Sequence, residues 1–272
     1  MALSDLNLAQ NRTLVMGILN VTPDSFADGG RFSSHESAIA RGLEMMSEGV
    51  DIIDIGGEST RPGAERVSAD VEQERIIGVI SSLAKAGAVI SVDTKRADTA
   101  KLAISAGAKI VNDVSAGVAD PLMLTTVAQL NVPYIAMHTR GDSINMQSQA
   151  IYADVLAEVL SEIKERIQMA ISAGISRQNL IIDPGLGFAK ESEHNWTILR
   201  NLEKFNDLGF PVLVGGSRKR FLGALTGSQN PDDREYASIA LTTHCANAGV
   251  WGVRVHSVKP HRDAIAVAGE LS

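Results

Sequence analysis

Leu14-Val15-Met16-Gly17-Ile18-Leu19-Asn20 is apolar almost throughout and ends on an amide, and residues 35–48 behind it repeat their apolar positions three and four apart. This unit, a short apolar run followed by a helical segment, recurs along the chain. Runs at residues 51–55, 88–93, 109–113, 133–137, Leu180–Asp183, 211–214 and 252–256 alternate with helical segments at 71–86, Ala97–Ala106, 121–130, 152–173, 195–208, 234–248 and 261–271. Runs without polar alternation belong to strands covered on both faces, as in a parallel sheet. The stripe Val155, Val159, Ile163, Ile167 shows the helical period. Gly49, Gly87, Gly107, Gly174, Gly209 and Gly249 each stand just past a helical segment, where a left-handed residue ends the helix. Eight strand–helix units predict an α/β chain folded as a single (β/α)8 TIM barrel, one domain over residues 1–272. A doubly wound open sheet is the alternative, but the first strand is not followed by its G-x-G-x-x-G turn.

The length of 272 residues suits one such barrel. Aromatics are only 4% and glycines number 24, so Ala, Val, Ile and Leu must fill the core and tight turns must be frequent. Lys and Arg total 25 against 32 Asp and Glu, a formal charge of -7 that disfavours nucleic acid as a partner. A single cysteine, Cys245, excludes an internal disulfide and reads as a small buried hydrophobe. No apolar run approaches the roughly 20 residues of a membrane helix. The first twelve residues lack the apolar centre of a secretion signal. A cytoplasmic protein with no membrane partner is expected.

A barrel puts its chemistry at the C-terminal ends of the strands. Here those ends carry Asn20, Asp54 with the Gly56–Gly63 loop, Asp93, Asn112-Asp113, Met137-His138, Asp183, Ser217-Arg218-Lys219 and Arg254-Val255-His256. One such Asp or Asn reads as a helix cap. Polar residues at all eight ends exceed what capping explains. Asp93, Asn112 and Asp183 offer acceptors and an amide to a flat heterocycle rich in N–H groups, such as a pterin or a guanine-like ring. Lys219, Arg254 and His256 lie on the last two strands, where barrels hold phosphate. The neutral oxygen of Asn20, next to strand eight around the ring, suits Mg²⁺ shared with a diphosphate.

The stretches Met16-Gly17-Ile18-Leu19-Asn20-Val21-Thr22-Pro23-Asp24-Ser25-Phe26 and Asp54-Ile55-Gly56-Gly57-Glu58-Ser59-Thr60-Arg61-Pro62-Gly63 resemble the two signatures of the dihydropteroate synthase family. Ser91-Val92-Asp93-Thr94, Val111-Asn112-Asp113, Asp183-Pro184-Gly185-Leu186-Gly187-Phe188, Ser217-Arg218-Lys219 and Arg254-Val255-His256 follow in the family's order. The resemblance implies joining of a dihydropterin diphosphate to p-aminobenzoate, with release of diphosphate. It implies a pterin pocket of Asp93, Asn112, Asp183 and Lys219, with Met137 and Phe188 packing nearby. Asn20, Arg254 and His256 would hold the diphosphate, with Mg²⁺ on Asn20. Thr60, Arg61, Pro62, Ser217 and Lys219 would frame p-aminobenzoate, and Phe26 would close over it. A homodimer through the last helices is implied by analogy, and loops 22–32 and 57–66 are expected to order only once the pterin is bound. Ser257 and Arg220 depart from the family's usual Asp and Ser.

Two rival readings share parts of this pattern. A methyltetrahydrofolate-binding barrel would need Asp93, Asn112 and Asp183 but not Ser217-Arg218-Lys219. An inactive pterin-binding paralogue would lose loop residues first, and Asp24, Phe26, Thr60 and Arg61 are all present. Plainer roles are expected elsewhere. Asp113 should cap, Glu58 should pair with Arg61, and His138 should serve the structure. His194, His244 and His261 should lie on the surface or on helices.

Overall fold

The computed structural model describes residues 2–22, 31–59, 67–142 and 145–271, with the side chains of residues 31–34 left outside the description. Its strands are β1 (Leu14–Asn20), β2 (Ile52–Gly56), β3 (Ile90–Asp93), β4 (Ile110–Asp113), β5 (Tyr134–Met137), β6 (Leu180–Asp183), β7 (Leu213–Val214) and β8 (Gly252–Val255). All pair in parallel, in the order β6-β5-β4-β3-β2-β1-β8-β7. The ring closes between β6 and β7 through the single parallel bridge Ile182–Val212 and the bond from Ile182 N to Pro211 O at 2.9 Å. The expected (β/α)8 barrel is what the chain builds.

The helices around it are α1 (Arg31–Ser47), α2 (Ala69–Lys85), α3 (Ala97–Ala106), α4 (Met123–Leu130), α5 (Val155–Ser172), α6 (Ser192–Leu199), α7 (Leu202–Asn206), α8 (Arg220–Thr226), α9 (Glu235–Asn247) and α10 (Lys259–Glu270). Asp154 starts α5 by accepting from the N–H groups of Leu156 and Ala157, each at 3.0 Å, which satisfies two donors the helix cannot use internally. All six glycines expected to end helices have positive φ. At Gly107, with φ +119, an added Cβ would also stand 2.6 Å from that of Ala84. The single helix expected over 195–208 is instead broken in two. Asn201 donates its side-chain amide to Thr197 O at 2.8 Å, competing with the backbone for a helical carbonyl. The short α8, not anticipated, follows Lys219 directly.

Alternation along each strand divides the core into two. Leu14, Met16, Ile52, Ile110, Ile135, Ile181 and Leu213 point into the barrel and fill it as one cluster. Their neighbours Val15, Ile53, Val111, Tyr134, Ile182 and Val253 face the helices. Leu3, Leu6 and Leu8 pack beneath the inner cluster and plug the N-terminal end. The same two-residue period sends Asp54, Asp93, Asn112, Met137, Asp183 and Arg254 inward, above the apolar plug. Cys245 is fully buried, and burial pushes its thiol up to about 12, so it behaves as a small hydrophobe. His261 lies on a helix, one of its two expected places. It is fully buried on α10, with Nδ1 2.7 Å from Thr242 Oγ1 and Nε2 3.2 Å from Glu235 Oε1.

Asp113, at the end of β4, is buried and accepts from Ser115 N, Ser115 Oγ, Gly117 N and Tyr134 Oη at 2.7–2.9 Å. It shapes the β4–α4 turn, as a capping role requires. Asp113→Ala should therefore cost about 3 kcal/mol or more by stranding buried donors, read as a lower urea midpoint. Activity per folded molecule should stay near the parent's.

Candidate active site

At the open end of the barrel a part-exposed arginine organises the acidic strands. Arg254, from β8, donates Nε to Asp54 Oδ2 at 2.6 Å and Nη2 to Asp93 Oδ2 at 2.8 Å. Asp54 Oδ2 also accepts from Asn112 Nδ2 at 3.0 Å, so one carboxylate fixes a guanidinium and an amide together. Asp54 was expected only as a strand end with no assigned role. In the fold it is the fully buried link among β2, β4 and β8. Its signal in the sequence was a lone carboxylate inside Ile52-Ile53-Asp54-Ile55, on the inward register.

Asp183 lies across the mouth, with Oδ1 accepting from Gly185 N at 2.7 Å. Gly215 leaves the space between the two sides open, since a Cβ there would come within 3.7 Å of Asp183 Oδ2 and 3.9 Å of Arg254 Cβ. Lys219 enters from the β7–α8 loop. Its Nζ donates to Leu186 O and stands 4.5 Å from the centre of the Phe188 ring. Ser217 Oγ meets His256 Nδ1 at 3.0 Å. Asp93, Asn112, Met137, Asp183 and Ser217 are buried, while Asn20, Phe188, Lys219, Arg254 and His256 are part-exposed at the mouth. Phe26, Thr60, Arg61 and Pro62, together with Asp24 and most of the two loops expected to order on binding, lie outside the described residues.

The charges are tuned by burial. Burial pushes the Asp93 carboxyl up to about 7, with the Arg254 charge pulling it back and Asp54 adding to the rise. Asp183 is likewise raised by burial, against the charge of Lys219 and the Gly185 N–H. Burial brings Lys219 down to about 8, although Asp183 favours its charged form. Burial opposes the charge on Arg254, but Asp54 and Asp93 more than offset it, so its pKa lies above the ordinary value.

Arg61, the expected partner of Glu58, lies outside the described residues, and Glu58 pairs with two further cations. Lys95 lies 2.7 Å from Glu58 Oε1 and Arg96 2.9 Å from Oε2, and Arg96 reaches on to Glu72 at 2.7 Å. The loop after β2 is thus tied to α2 and α3. Ser257 accepts from Arg218 Nη2 at 2.9 Å, and Arg218 holds a left-handed backbone, φ +58, between Ser217 and Lys219. His138 is buried against Glu162 and Lys190, a structural place as expected.

The mouth can also receive a metal. The Asn20 carboxamide makes no hydrogen bond among the described residues, and it offers a hard neutral oxygen. Among the described residues no three His, Cys, Asp or Glu side chains gather as a metal cage. That donor set fits Mg²⁺, which takes one or two protein ligands when a substrate phosphate supplies the rest.

A barrel mouth that combines inward acids, an amide and cations is shared with a known class. The family model described as "Pterin binding enzyme" matches residues 16–256, and the chain belongs to that family. Its relatives within the class include dihydropteroate synthases. The enzyme of Mycobacterium leprae is 46% identical over 94% of this chain and 92% of its own length. The solved Xanthomonas albilineans enzyme with 4-aminobenzoic acid superposes with a TM-score of 0.91 at 44% identity, covering 96% of this chain and 93% of that one. The same enzyme in complex with 7,8-dihydropteroate gives 0.88 at 41% identity, covering 97% and 95%.

The Asp93 shift can be read directly. Carbon-13 NMR of the carboxyl should titrate near 7 rather than 3.8, and Arg254→Met should move the midpoint higher by removing the opposing charge. Because the folded state holds this proton more tightly, stability from this group falls as pH rises from 3.8 to about 7. A midpoint near 4 in the parent would place Asp93 in water.

Proposed function

We infer that this chain condenses (7,8-dihydropterin-6-yl)methyl diphosphate with p-aminobenzoate, giving 7,8-dihydropteroate and diphosphate in folate biosynthesis. The observation that carries this is the convergence of Asp93, Asn112, Asp183, Lys219 and Arg254 above one apolar plug, in a chain so similar to dihydropteroate synthases. The rival of a methyltetrahydrofolate-binding barrel does not account for Lys219 at the mouth.

In this reading Asp93, Asn112 and Asp183 bind the N–H edge of the pterin, with Met137 and Phe188 against its faces. Arg254 uses Nε and Nη2 on Asp54 and Asp93. Its Nη1, with no hydrogen bond among the described residues, is left for the diphosphate, beside His256. Asn20 would hold Mg²⁺, which when bound would supply charge to neutralise the diphosphate. The bond from the pterin methylene carbon to the diphosphate oxygen breaks, and its electron pair leaves with the diphosphate. Asp93 and Asp183 face the positive charge left on the pterin, which lowers the barrier by preorganised electrostatics. The amine of p-aminobenzoate then forms the carbon–nitrogen bond and gives up a proton to solvent or diphosphate. Phe26, Thr60, Arg61, Pro62, Ser217 and Lys219 frame that second substrate.

We further propose that residues 1–272 form one domain, that the chain works in the cytoplasm, and that two copies associate through the last helices. No helix among the described residues is long and apolar enough to cross a membrane.

The direct test is an assay with dihydropterin diphosphate, p-aminobenzoate and Mg²⁺, in which dihydropteroate should appear. Lys219→Met should lose about 3 kcal/mol or more of transition-state stabilisation and weaken both substrates; near-parental kcat/KM would remove Lys219 from the site. Asp183→Asn keeps the side chain's size but not its charge, and should cut kcat by on the order of 100-fold with little change in Tm. A large drop in Tm with unchanged activity per folded molecule would make Asp183 structural.

A further inference from the structure

Beneath the Asp183–Phe188 loop lies a lysine that the reaction does not use. Lys190 is 3% exposed, and its Nζ has three partners: His138 Nδ1 at 2.8 Å, Phe188 O at 3.0 Å and Gly185 O at 3.1 Å. An ammonium has three N–H bonds, and here each meets one acceptor. For His138 Nδ1 to accept, the ring must be neutral with its proton on Nε2, which then donates to Glu162 Oε2 at 3.0 Å. Glu162 is held in turn by Arg140 Nε at 3.0 Å. Burial and the Lys190 charge lower His138 to about 4, which agrees with a neutral ring.

The loop that Lys190 grips is unusually bent. Gly185, Gly187 and Ala189 have φ of +68, +76 and +49, so every second residue is left-handed, including one that carries a side chain. A Cβ on Gly185 would lie 1.9 Å from His138 O, so the loop is pressed against the β5 end. This path sends carbonyls to opposite sides. Gly185 O and Phe188 O meet Lys190 from behind, while Leu186 O meets Lys219 at the front. Asp183 accepts from the same Gly185 through its N–H.

We propose that Lys190, backed by His138 and Glu162, is a positioning residue for pterin binding: it fixes Gly185 and Phe188 and so sets Asp183 and the Phe188 ring against the pterin. The proposal rests on the reading that Asp183 and Phe188 line the pterin pocket. The charged groups around Lys190 are Asp183 from β6, Lys219 from the β7–α8 loop, Glu162 from α5, and Arg140 with neutral His138 from the segment after β5. Burial, helped by the charges of Lys219 and Arg140 and opposed by Asp183 and Glu162, brings its pKa down to about 7, so the third N–H bond is lost as pH rises past neutrality.

The experiment measures pterin affinity by calorimetry with 6-hydroxymethylpterin, and KM and kcat in the condensation assay, for the parent, Lys190→Met, His138→Leu, His138→Gln and Asp183→Asn. Lys190→Met should weaken the pterin and raise KM for the pterin diphosphate about tenfold or more, with a smaller change in kcat. His138→Leu should weaken binding in the same sense, and His138→Gln, which keeps an acceptor and a donor, should restore it. If Lys190→Met does not fold, the two His138 variants decide the matter. Parental pterin affinity in a folded Lys190→Met, or equal affinity in the two His138 variants, overturns the proposal. Unchanged pterin affinity in Asp183→Asn would instead overturn the pocket reading beneath it.

Discussion

Three buried carboxylates, Asp54, Asp93 and Asp183, face a common space at the mouth of this barrel, and Arg254 bonds to the first two at once. Without a cation between them, like charges so close in a poorly solvated space would repel one another. With it, Asp54 stays engaged, Asn112 is oriented through Asp54, and Asp93 is poised near neutrality. The arrangement holds only because β8 follows β1 around the ring, which carries Arg254 to within reach of strands two and three. Topology, acid strength and amide orientation are therefore one problem with one solution. Removing either partner of a buried pair of this kind costs about 3–5 kcal/mol, because the other charge is stranded.

Much of this was legible from the chain. The strands announce themselves as apolar runs because both of their faces are covered, and β1, β6 and α3 begin and end where the periodicity places them. Helix ends follow from glycines whose backbone no other residue adopts cheaply. The polar strand ends told which rim carries the chemistry, since closure brings all eight together. What the chain did not disclose are partnerships across the ring. Asp54 meets a residue 200 positions away, and Lys190 meets His138 at a separation of 52. Periodicity gives the direction of a side chain but not what waits on the far wall.

Local chemistry misled at one helix, for a physical reason, and at another it set how deep a residue lies. Asn201 looks compatible with a helix by pattern, yet its amide takes the carbonyl of Thr197 and breaks the helix into α6 and α7. His261 sits on a helix as expected, and Thr242 and Glu235 engage both of its ring nitrogens and allow full burial. In both cases a side chain found a better partner than water or the expected backbone bond.

The closing joint of the ring has a mechanical consequence. β1 runs beside β2 in continuous register from Met16 to Asn20, whereas β7 has two residues and, among the described residues, one isolated bridge just before it, Ile182–Val212, joins it to β6. Adjacent strands separate most cheaply where the ladder between them is shortest. The collar is therefore split at one position, and its compliance is concentrated there. Above that joint stand Asp183 on one lip and the loop to Lys219 on the other. A widening of the mouth draws apart an acid and a base before it disturbs the rigid wall that carries Asp54, Asp93 and Arg254.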